Sequence, residues 1–355
     1  MAYTDIDKPS DYFNTVLYSG TDSAQSVTGV GFQPDWTWIK CRSHGGSASF
    51  EHVLTDAVRG ANKTLTSDST EAEATNNATG YLNIFDSDGF TTASGGTSID
   101  AVGGIGRTYV AWNWLASNST ASNTDGSITS TVSANTTSGF SIVSYTGNGT
   151  SGATVGHGLG VAPSMIIEKG RSVTDDWLIY HKSLGATYGL ALNNTTAAAA
   201  STGYWNDTAP TPSLFTIGNN GKVNTNGGTH IAYCFAEKPG YSKFGSYTGN
   251  GSTDGTFVYT GFKPAFVIGK RSSAVEDWFL FDSTRDTYNV NNKLLYPNGT
   301  NAEYTGVSAR NDFLSNGFKM RIIDNKENGS GSTYIYMAFA ENPFVTSTGI
   351  AGTAR

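Results

Sequence analysis

Short apolar runs separated by loops of Gly, Asn, Ser and Thr fill this chain, and one arrangement of them occurs three times. In each copy an apolar run ends at a tyrosine, a polar loop follows, and a proline precedes a second apolar run that ends in lysine. The copies span Tyr12–Lys40, Gly139–Lys169 and Tyr241–Lys270. Two apolar runs joined by turn residues predict two β-strands and a loop. The long spacing between the copies predicts three repeated units.

The predicted strands are apolar on both faces. Alternate residues of a strand point to opposite faces, so Trp36 and Trp38 lie on one face of the first of these strands and Ile39 lies on the other. Met165–Ile167 and Phe266–Ile268 are apolar throughout. A strand with two apolar faces lies between two layers of structure. We therefore predict an all-β fold made of three tandem antiparallel β-sandwich units.

Local signals predict the turns and a single helix. The pairs Asp88-Gly89, Asn220-Gly221 and Asn316-Gly317 fall at comparable positions in the three units. Such pairs predict β-hairpins because both turn residues tolerate positive φ. The best candidate for an α-helix is His52–Gly60.

Each unit ends with another apolar run, which is YVAWNWLA, HIAYCFAE or YIYMAFAE. These runs set the predicted boundaries of the units and of the segments between them. The boundaries are an N-terminal lead at 1–11, a first unit at 12–117, a linker at 118–138 with an added strand at 128–132, a second unit at 139–240, a third unit at 241–345 and a tail at 346–355.

The composition of the chain limits the classes of partner that it is expected to bind. Of the 355 residues, 37% are apolar, 14% are charged and 43 are glycine, and the net charge is -7. This acidic balance, without a cluster of Lys and Arg, argues against a general attraction to nucleic acid or to an anionic membrane. No apolar run reaches the length of a membrane span, so membrane insertion is not expected. The opening residues MAYTDIDKPS lack the features of a signal peptide. Cys41 and Cys234 fall in different units, which predicts two core residues and no disulfide.

Acidic pairs precede a tryptophan in two units, as Asp175-Asp176-Trp177 and Glu276-Asp277-Trp278. Paired carboxylates serve glycoside hydrolysis, but neighbours along a strand point to opposite faces and cannot flank one bond. The pairs therefore predict a loop anchored by a tryptophan packed beneath it. Both tryptophans are expected to be buried at equivalent positions.

Metal and cofactor signals are weak. Asp86 and Asp88 resemble the opening of a calcium loop, but Thr97 stands where a calcium loop of the EF-hand type needs glutamate. A turn is the favoured role of these two residues, and calcium remains the alternative. The histidines do not recur at matching positions, which argues against zinc; they are His44, His52, His157, His181 and His230. No cofactor and no catalytic residue is predicted.

Exposed aromatic rings beside amide or carboxylate groups are typical of carbohydrate sites. Two stretches in the variable middle of the repeats combine these residue types, where loops carry function. The candidate glycan-binding residues are Tyr204, Trp205, Asn206, Asp207, Asn301 and Tyr304.

Several motifs together resemble a known repeat. They are YFNTVLYSG, GVGFQPDWTWIK, FDSDGF, YVAWNW, GFSIVSYTGNGT and VGHGLGVAPSMIIEKGRS. This pattern resembles a repeat of structural proteins of marine tailed phages, including cyanobacterial phages, which are often labelled tail fibre or concanavalin A-like lectin/glucanase domains. The resemblance implies a jelly-roll-like sandwich in each unit. The catalytic Glu-x-Asp-x-(x)-Glu signature of the glucanases is missing, and Glu71-Ala-Glu73 does not replace it.

The resemblance implies a place on a virion assembled in the cytoplasm of a bacterial host. The first hypothesis is a non-enzymatic structural protein of the tail, fibre or capsid surface. Its expected partners are other virion proteins, further copies of the chain and a host-surface glycan. The second hypothesis is a carbohydrate-binding adhesin that recognises the host. A third, a glycan depolymerase, requires two carboxyl groups about 5 to 10 Å apart in a cleft.

Overall fold

The computed structural model describes residues 4–43, 50–306, 308 and 310–343, which form antiparallel β-sheets. His44, the first three residues of the predicted lead and the predicted tail at 346–355 lie outside the described residues. A 3₁₀ helix at Pro9–Asp11 precedes the first strand. None of the helices in the described ranges has the length and apolar character needed to cross a membrane.

The strands are numbered in chain order. The first part of the chain contains β1 (Phe13–Ser19), β2 (Ser26–Thr28), β3 (Trp36–Cys41), β4 (Val53–Asp56), β5 (Lys63–Thr66), β6 (Ala74–Thr75), β7 (Tyr81–Asp86), β8 (Gly89–Ala93) and β9 (Thr108–Trp114). The second part contains β10 (Ala121–Asn123), β11 (Ser130–Asn135), β12 (Phe140–Thr146), β13 (Ala153–Gly156), β14 (Met165–Gly170), β15 (Leu178–His181), β16 (Tyr188–Ala191), β17 (Ala199–Ala200), helix α1 (Thr202–Trp205), β18 (Leu214–Ile217), helix α2 (Gly221–Asn224) and β19 (Thr229–Phe235). The third part contains β20 (Ser242–Thr248), β21 (Phe257–Tyr259), β22 (Phe262–Arg271), β23 (Trp278–Asp282), β24 (Asn311–Leu314), β25 (Gly317–Met320) and β26 (Thr333–Pro343).

Three large sheets share one strand order. Large sheet 1 runs β1-β9-β3-β4-β5-β6, large sheet 3 runs β20-β26-β22-β23, and large sheet 2 contains β12-β19-β14-β15 flanked by β10-β11 and β16-β17. Each large sheet is accompanied by a small sheet, which is β2-β8-β7, β13-β18 or β21-β25-β24. The predicted all-β class is confirmed, and its paired layers are those of a β-sandwich.

Two of the three predicted Asp/Asn-Gly hairpins are confirmed. Asp88-Gly89 joins β7 to β8, and Asn316-Gly317 joins β24 to β25. The third prediction, at Asn220-Gly221, is wrong because Asn220 caps helix α2 and its side-chain oxygen accepts a hydrogen bond from Lys222 N at 3.0 Å. An asparagine before glycine suits either structure, since asparagine is also a preferred helix N-cap.

The predicted helix at His52–Gly60 is wrong. Residues Val53–Asp56 form strand β4, whose side chains are buried on both faces and which pairs with β3. Burial on both faces overrides a weak helical pattern. A strand is predicted in the linker at 128–132, and the structure has strand β11 at Ser130–Asn135, which overlaps it in part and extends large sheet 2 beside β12.

Every large sheet is buried on both of its faces. One face packs on the small sheet and forms a local core, and the other joins a central core shared by the three large sheets. In β19, Ile231, Tyr233 and Phe235 belong to the central core, whereas Ala232 and Cys234 belong to the local core. The two apolar faces predicted for the strands are therefore confirmed. The central core itself was not predicted.

Three aromatic side chains meet where the large sheets converge. Trp114, Phe235 and Phe339 lie near the ends of β9, β19 and β26. Their ring centroids are 6.5 Å apart for Trp114 and Phe235, 5.8 Å for Trp114 and Phe339, and 5.9 Å for Phe235 and Phe339. All three pairs pack edge to face, an arrangement that adds attraction to the burial of area. We call this group the aromatic triangle.

Ring nitrogens link each large sheet to the next. In each case a buried N–H donates to a backbone carbonyl in the region of another large sheet. The pairs are Trp177 with Thr66 (2.8 Å), Trp278 with Ala191 (2.9 Å) and His52 with Tyr296 (3.0 Å). Trp177 is fully buried and Trp278 is 1% exposed, so the predicted burial of both is confirmed. Their equivalent bonds confirm that they hold the same position.

Two buried histidines at these contacts are neutral. His52 Nδ1 lies 2.8 Å from the Trp38 indole nitrogen, which can only donate, so the His52 proton lies on Nε2. His181 is arranged in the same way, with Ser183 N donating to Nδ1 and Nε2 facing Tyr336 O at 3.1 Å. Burial lowers the pKa of His181 to about 4 and holds the pKa of His52 well below its ordinary value.

We expect Phe235→Ala to lower the free energy of unfolding by about 3–5 kcal/mol, because it removes one member of the aromatic triangle and opens a cavity in the central core. Chemical denaturation measures this loss. Phe257→Ala is the matched control, since Phe257 is 44% exposed. A comparable loss in both variants would contradict a special role for the central core.

We expect the contribution of His181 to the stability of the protein to fall as the pH drops from about 6.5 toward 4. An unfolded histidine has a pKa of about 6.5, while folded His181 has a pKa of about 4. At this residue the unfolded chain binds more protons than the folded chain between these values, so the contribution rises with pH across that window. His181→Gln keeps an N–H donor but does not titrate. The stability advantage of the parent protein over this variant should shrink by up to about 1.4 kcal/mol per pH unit. A difference that stays constant from pH 7 to pH 5 would refute the assignment.

Candidate functional site

The predicted aromatic stretch at Tyr204–Asp207 does not form one surface. Trp205 is 1% exposed and packs edge to face on Tyr180 in the local core, with ring centroids 5.8 Å apart. Asn206 accepts a hydrogen bond from Ser151 Oγ at 2.9 Å, which ties it to a neighbouring loop. Asp207 is exposed. Tyr204 is half-buried and lines a cavity.

That cavity is a cleft of about 230 Å³ on the part of the chain that carries large sheet 2. Its floor consists of small and apolar residues around Gly189–Ala191. Its polar lining comes from Asp176, Asn194, Tyr204 and Lys222. Gly189 is required here, because a Cβ at this position would lie 2.9 Å from the Tyr204 ring. We call this cavity the Tyr204 cleft.

Asp176 organises the polar side of the Tyr204 cleft. One carboxylate oxygen accepts hydrogen bonds from Asn193 at 2.8 Å and Asn194 at 3.3 Å, and the other pairs with Lys222. Partial burial raises the pKa of Asp176, but the bonds from Lys222, Asn193 and Asn194 outweigh it and lower the pKa below its ordinary value. Asp176 is therefore an ionised hydrogen-bond acceptor, and the cleft offers one aromatic ring beside charged and amide groups.

The acidic pairs serve the loop that each tryptophan anchors, as predicted. Asn193 accepts from Trp177 N at 3.0 Å while donating to Asp176. In the third part of the chain, Asn298 accepts from Trp278 N at 2.8 Å and donates to Asp277 at 2.9 Å. The two asparagines were not predicted, because their distance along the chain from the acidic residues gives no signal in one sequence.

Asn301 and Tyr304 lie in the third part of the chain, apart from the Tyr204 cleft. Asn301 is exposed, and Tyr304 is 38% exposed with the Arg310 guanidinium 4.8 Å from its ring centroid. Glu303 between them is turned inward and binds Arg42 of large sheet 1 at 2.9 Å. The structure thus separates these two candidates from Tyr204–Asp207.

Asp86 and Asp88 serve the turn between β7 and β8, in the small sheet β2-β8-β7. Asp88 accepts hydrogen bonds from the backbone N–H groups of Gly29 at 3.2 Å and Gly31 at 2.6 Å. Asp86 accepts from Thr91 Oγ1 at 2.7 Å. These bonds account for the favoured turn role. Across the described ranges, no three His, Cys, Asp or Glu side chains are grouped so that they could hold a metal ion.

A buried lysine lies near the end of the second apolar strand of each repeat. Burial lowers the pKa of Lys40, Lys169 and Lys270 to about 8. Each ammonium group donates to a backbone carbonyl of the following loop, as Lys169 does to Asp175 O at 2.9 Å and Lys270 to Ala274 O at 3.3 Å. These lysines fix loops, and the sequence marks them as the residue that ends each apolar run.

Comparison with known proteins gives one family match. A family model described as a domain of unknown function (DUF7483) matches residues 8–343. No curated protein and no solved structure matches the chain. The family match spans all three large sheets and their central core.

We expect Asp176→Ala and Asp277→Ala each to lower the free energy of unfolding by about 1–3 kcal/mol, since each leaves hydrogen-bonding partners unpaired. Asp207→Asn is the control, because Asp207 is an exposed aspartate in the same part of the chain as Asp176, and asparagine tolerates its backbone φ of 51°. Thermal and chemical denaturation measure the three values. If all three variants are as stable as the parent protein, the carboxylates do not lock the loops.

Proposed function

The chain belongs to the family described as a domain of unknown function (DUF7483), and we propose that it is a non-enzymatic structural protein of a tailed-phage particle. The observation that carries this proposal is the central core, in which three large sheets are packed into one body. The link to a virion is supported by the resemblance of the sequence motifs to a repeat of phage structural proteins. A body of this kind suits a role as a building element with loops on its surface.

The finer architecture belongs to the same proposal. Three tandem jelly-roll-like, concanavalin A-like units, at 12–117, 139–240 and 241–345, are supported by the strand order that recurs in the large sheets. Each unit would consist of one large sheet and its small sheet. The central core would then be the place where the three units meet.

Contacts with other virion proteins are supported by the surface. Large apolar side chains stand exposed at separate places, among them Tyr288 at 84%, Ile105 at 70% and Val275 at 65%. Tyrosines of this kind are enriched at protein interfaces. We propose neighbouring virion proteins and further copies of the chain as partners, in a particle assembled in the bacterial cytoplasm.

Cryo-electron microscopy of intact particles, combined with mass spectrometry of the purified virion, tests this proposal. We expect the chain at a fixed copy number, with density that traces side chains at the fibre, tail or capsid surface. Lysate freed of particles is the control. A chain found in that lysate and missing from purified particles would refute the virion role.

A carbohydrate-binding adhesin is the second candidate function, and the Tyr204 cleft favours it. An aromatic ring beside Asp176, Asn194 and Lys222 combines the groups that recognise a sugar ring and its hydroxyls. The cleft is smaller than most sites for drug-sized ligands, which points to a single sugar residue. Such weak sites gain strength when several copies act together.

For the adhesin, we expect Tyr204→Ala to weaken the binding of host-surface glycans by about tenfold, equal to about 1.4 kcal/mol. Binding is measured on immobilised host glycans with the full chain. Tyr288→Ala is the matched control, since Tyr288 is an exposed tyrosine away from the cleft. Equal binding by both variants would remove the cleft from recognition. Release of reducing sugar ends in the same assay would instead favour a depolymerase.

A further inference from the structure

The three large sheets contact one another through positions that repeat in cyclic order. The last residues of β4, β15 and β23 are Asp56, His181 and Asp282, and each one contacts a neighbouring large sheet. The contacts are Tyr233 Oη to Asp56 Oδ2 (2.7 Å), His181 Nε2 to Tyr336 O (3.1 Å) and Trp112 Nε1 to Asp282 Oδ2 (3.0 Å). Large sheet 1 thus meets large sheet 2, large sheet 2 meets large sheet 3, and large sheet 3 meets large sheet 1.

A row of backbone hydrogen bonds runs around the molecule in the same order. In each, a backbone N–H in the segment after β5, β16 or β23 donates to the residue that follows the lysine-containing strand of the next large sheet. The bonds are Glu73 N to Arg171 O (2.8 Å), Ala198 N to Ser272 O (3.0 Å) and Glu303 N to Arg42 O (2.9 Å). Two independent sets of contacts therefore follow one cyclic direction.

Ion pairs accompany two of these three backbone bonds. Glu73 accepts from Arg59 on its own side at 3.2 Å and from Arg171 across the junction at 2.9 and 3.0 Å. Glu303 does the same with Arg285 on its own side and Arg42 across the junction, each at 2.9 Å. At the third bond the corresponding residues are Ala198 and Ser272, which carry no charge, so no ion pair accompanies that bond.

Contacts of this kind define a closed ring. Each sheet uses one patch toward the sheet before it and a different patch toward the sheet after it, which is the heterologous interface of cyclic oligomers. Because the cyclic order closes after three sheets, each of the patches named above is paired with the next large sheet. We propose that these interfaces, and not the peptide connections, hold the ring together. The part that carries large sheet 1 can then be supplied by a second copy of this chain.

The connection after β9 allows a direct test. Residues 118–120 are exposed and lie between β9 and β10. A protease site inserted between Ser119 and Thr120 therefore leaves every strand whole. Cleavage of the folded full chain would give two fragments, one with large sheet 1 and one with large sheets 2 and 3.

After cleavage, we expect both fragments to elute together and to give one species of the intact mass in native mass spectrometry. Separation of the fragments in native buffer would overturn the proposal. Exchange is tested by cleaving a mixture of a tagged and an untagged chain and holding it just below the midpoint of unfolding. We expect hybrid pairs in the proportions of random mixing. Parental pairs alone after this treatment would also overturn it, since dissociation is fast under these conditions.

Substitutions identify the contacts that hold the cleaved ring. Arg42→Met and Arg171→Met together remove the cross-junction partners of Glu303 and Glu73 but keep Arg285 and Arg59 on their own sides. We expect the fragments of this double variant to associate at least about tenfold more weakly. Arg271→Met is the matched control, because Arg271 pairs with Glu276 of the same large sheet at 3.7 Å. Equal weakening in the control and the double variant would refute the assigned interfaces.

Discussion

The packing of three sheets against a single centre is the constraint on which the rest of this structure depends. A large sheet that gives one face to the central core must cover its other face with something else, and a small sheet does so in each case. The inner strands β3, β9, β14 and β19 are therefore buried at nearly every position, and most of those positions are apolar. The low charged content of the chain follows from this arrangement, since so little strand surface faces water.

The same constraint explains what the sequence could and could not predict. Parity along β3 and β14 indicates two apolar faces, but it does not say which surface each face will meet. The local cores could be predicted because their two layers lie close together in sequence. The central core brings together residues as far apart along the chain as Trp114 and Phe339, and no local sequence pattern predicts such a contact. The hairpin predicted at Asn220-Gly221 was wrong for a different reason, because asparagine followed by glycine suits a hairpin turn and a helix N-cap equally well.

The candidate site was predictable only in part. Tyr204 was singled out because an aromatic residue among amide and carboxylate neighbours is typical of sugar sites. Its neighbours along the chain proved to point elsewhere, with Trp205 buried in the local core. The residues that join Tyr204 in the cleft, Asn194 and Lys222, come from other segments. Residue type can suggest a kind of site, but the fold decides which side chains come together to form it.

The three junctions of the ring differ although their geometry is shared. An oligomer of identical subunits must carry each substitution at every interface, whereas here one substitution alters one position and leaves its two counterparts intact. Two such departures are seen. His181 stands where the other two junctions have Asp56 and Asp282, and Ala198 stands where they have Glu73 and Glu303. A chain built in this way can specialise a single side of a three-fold body. The Tyr204 cleft, with its glycine floor and its lysine, occupies one such side, and a recognition surface could evolve there without any change to the other two.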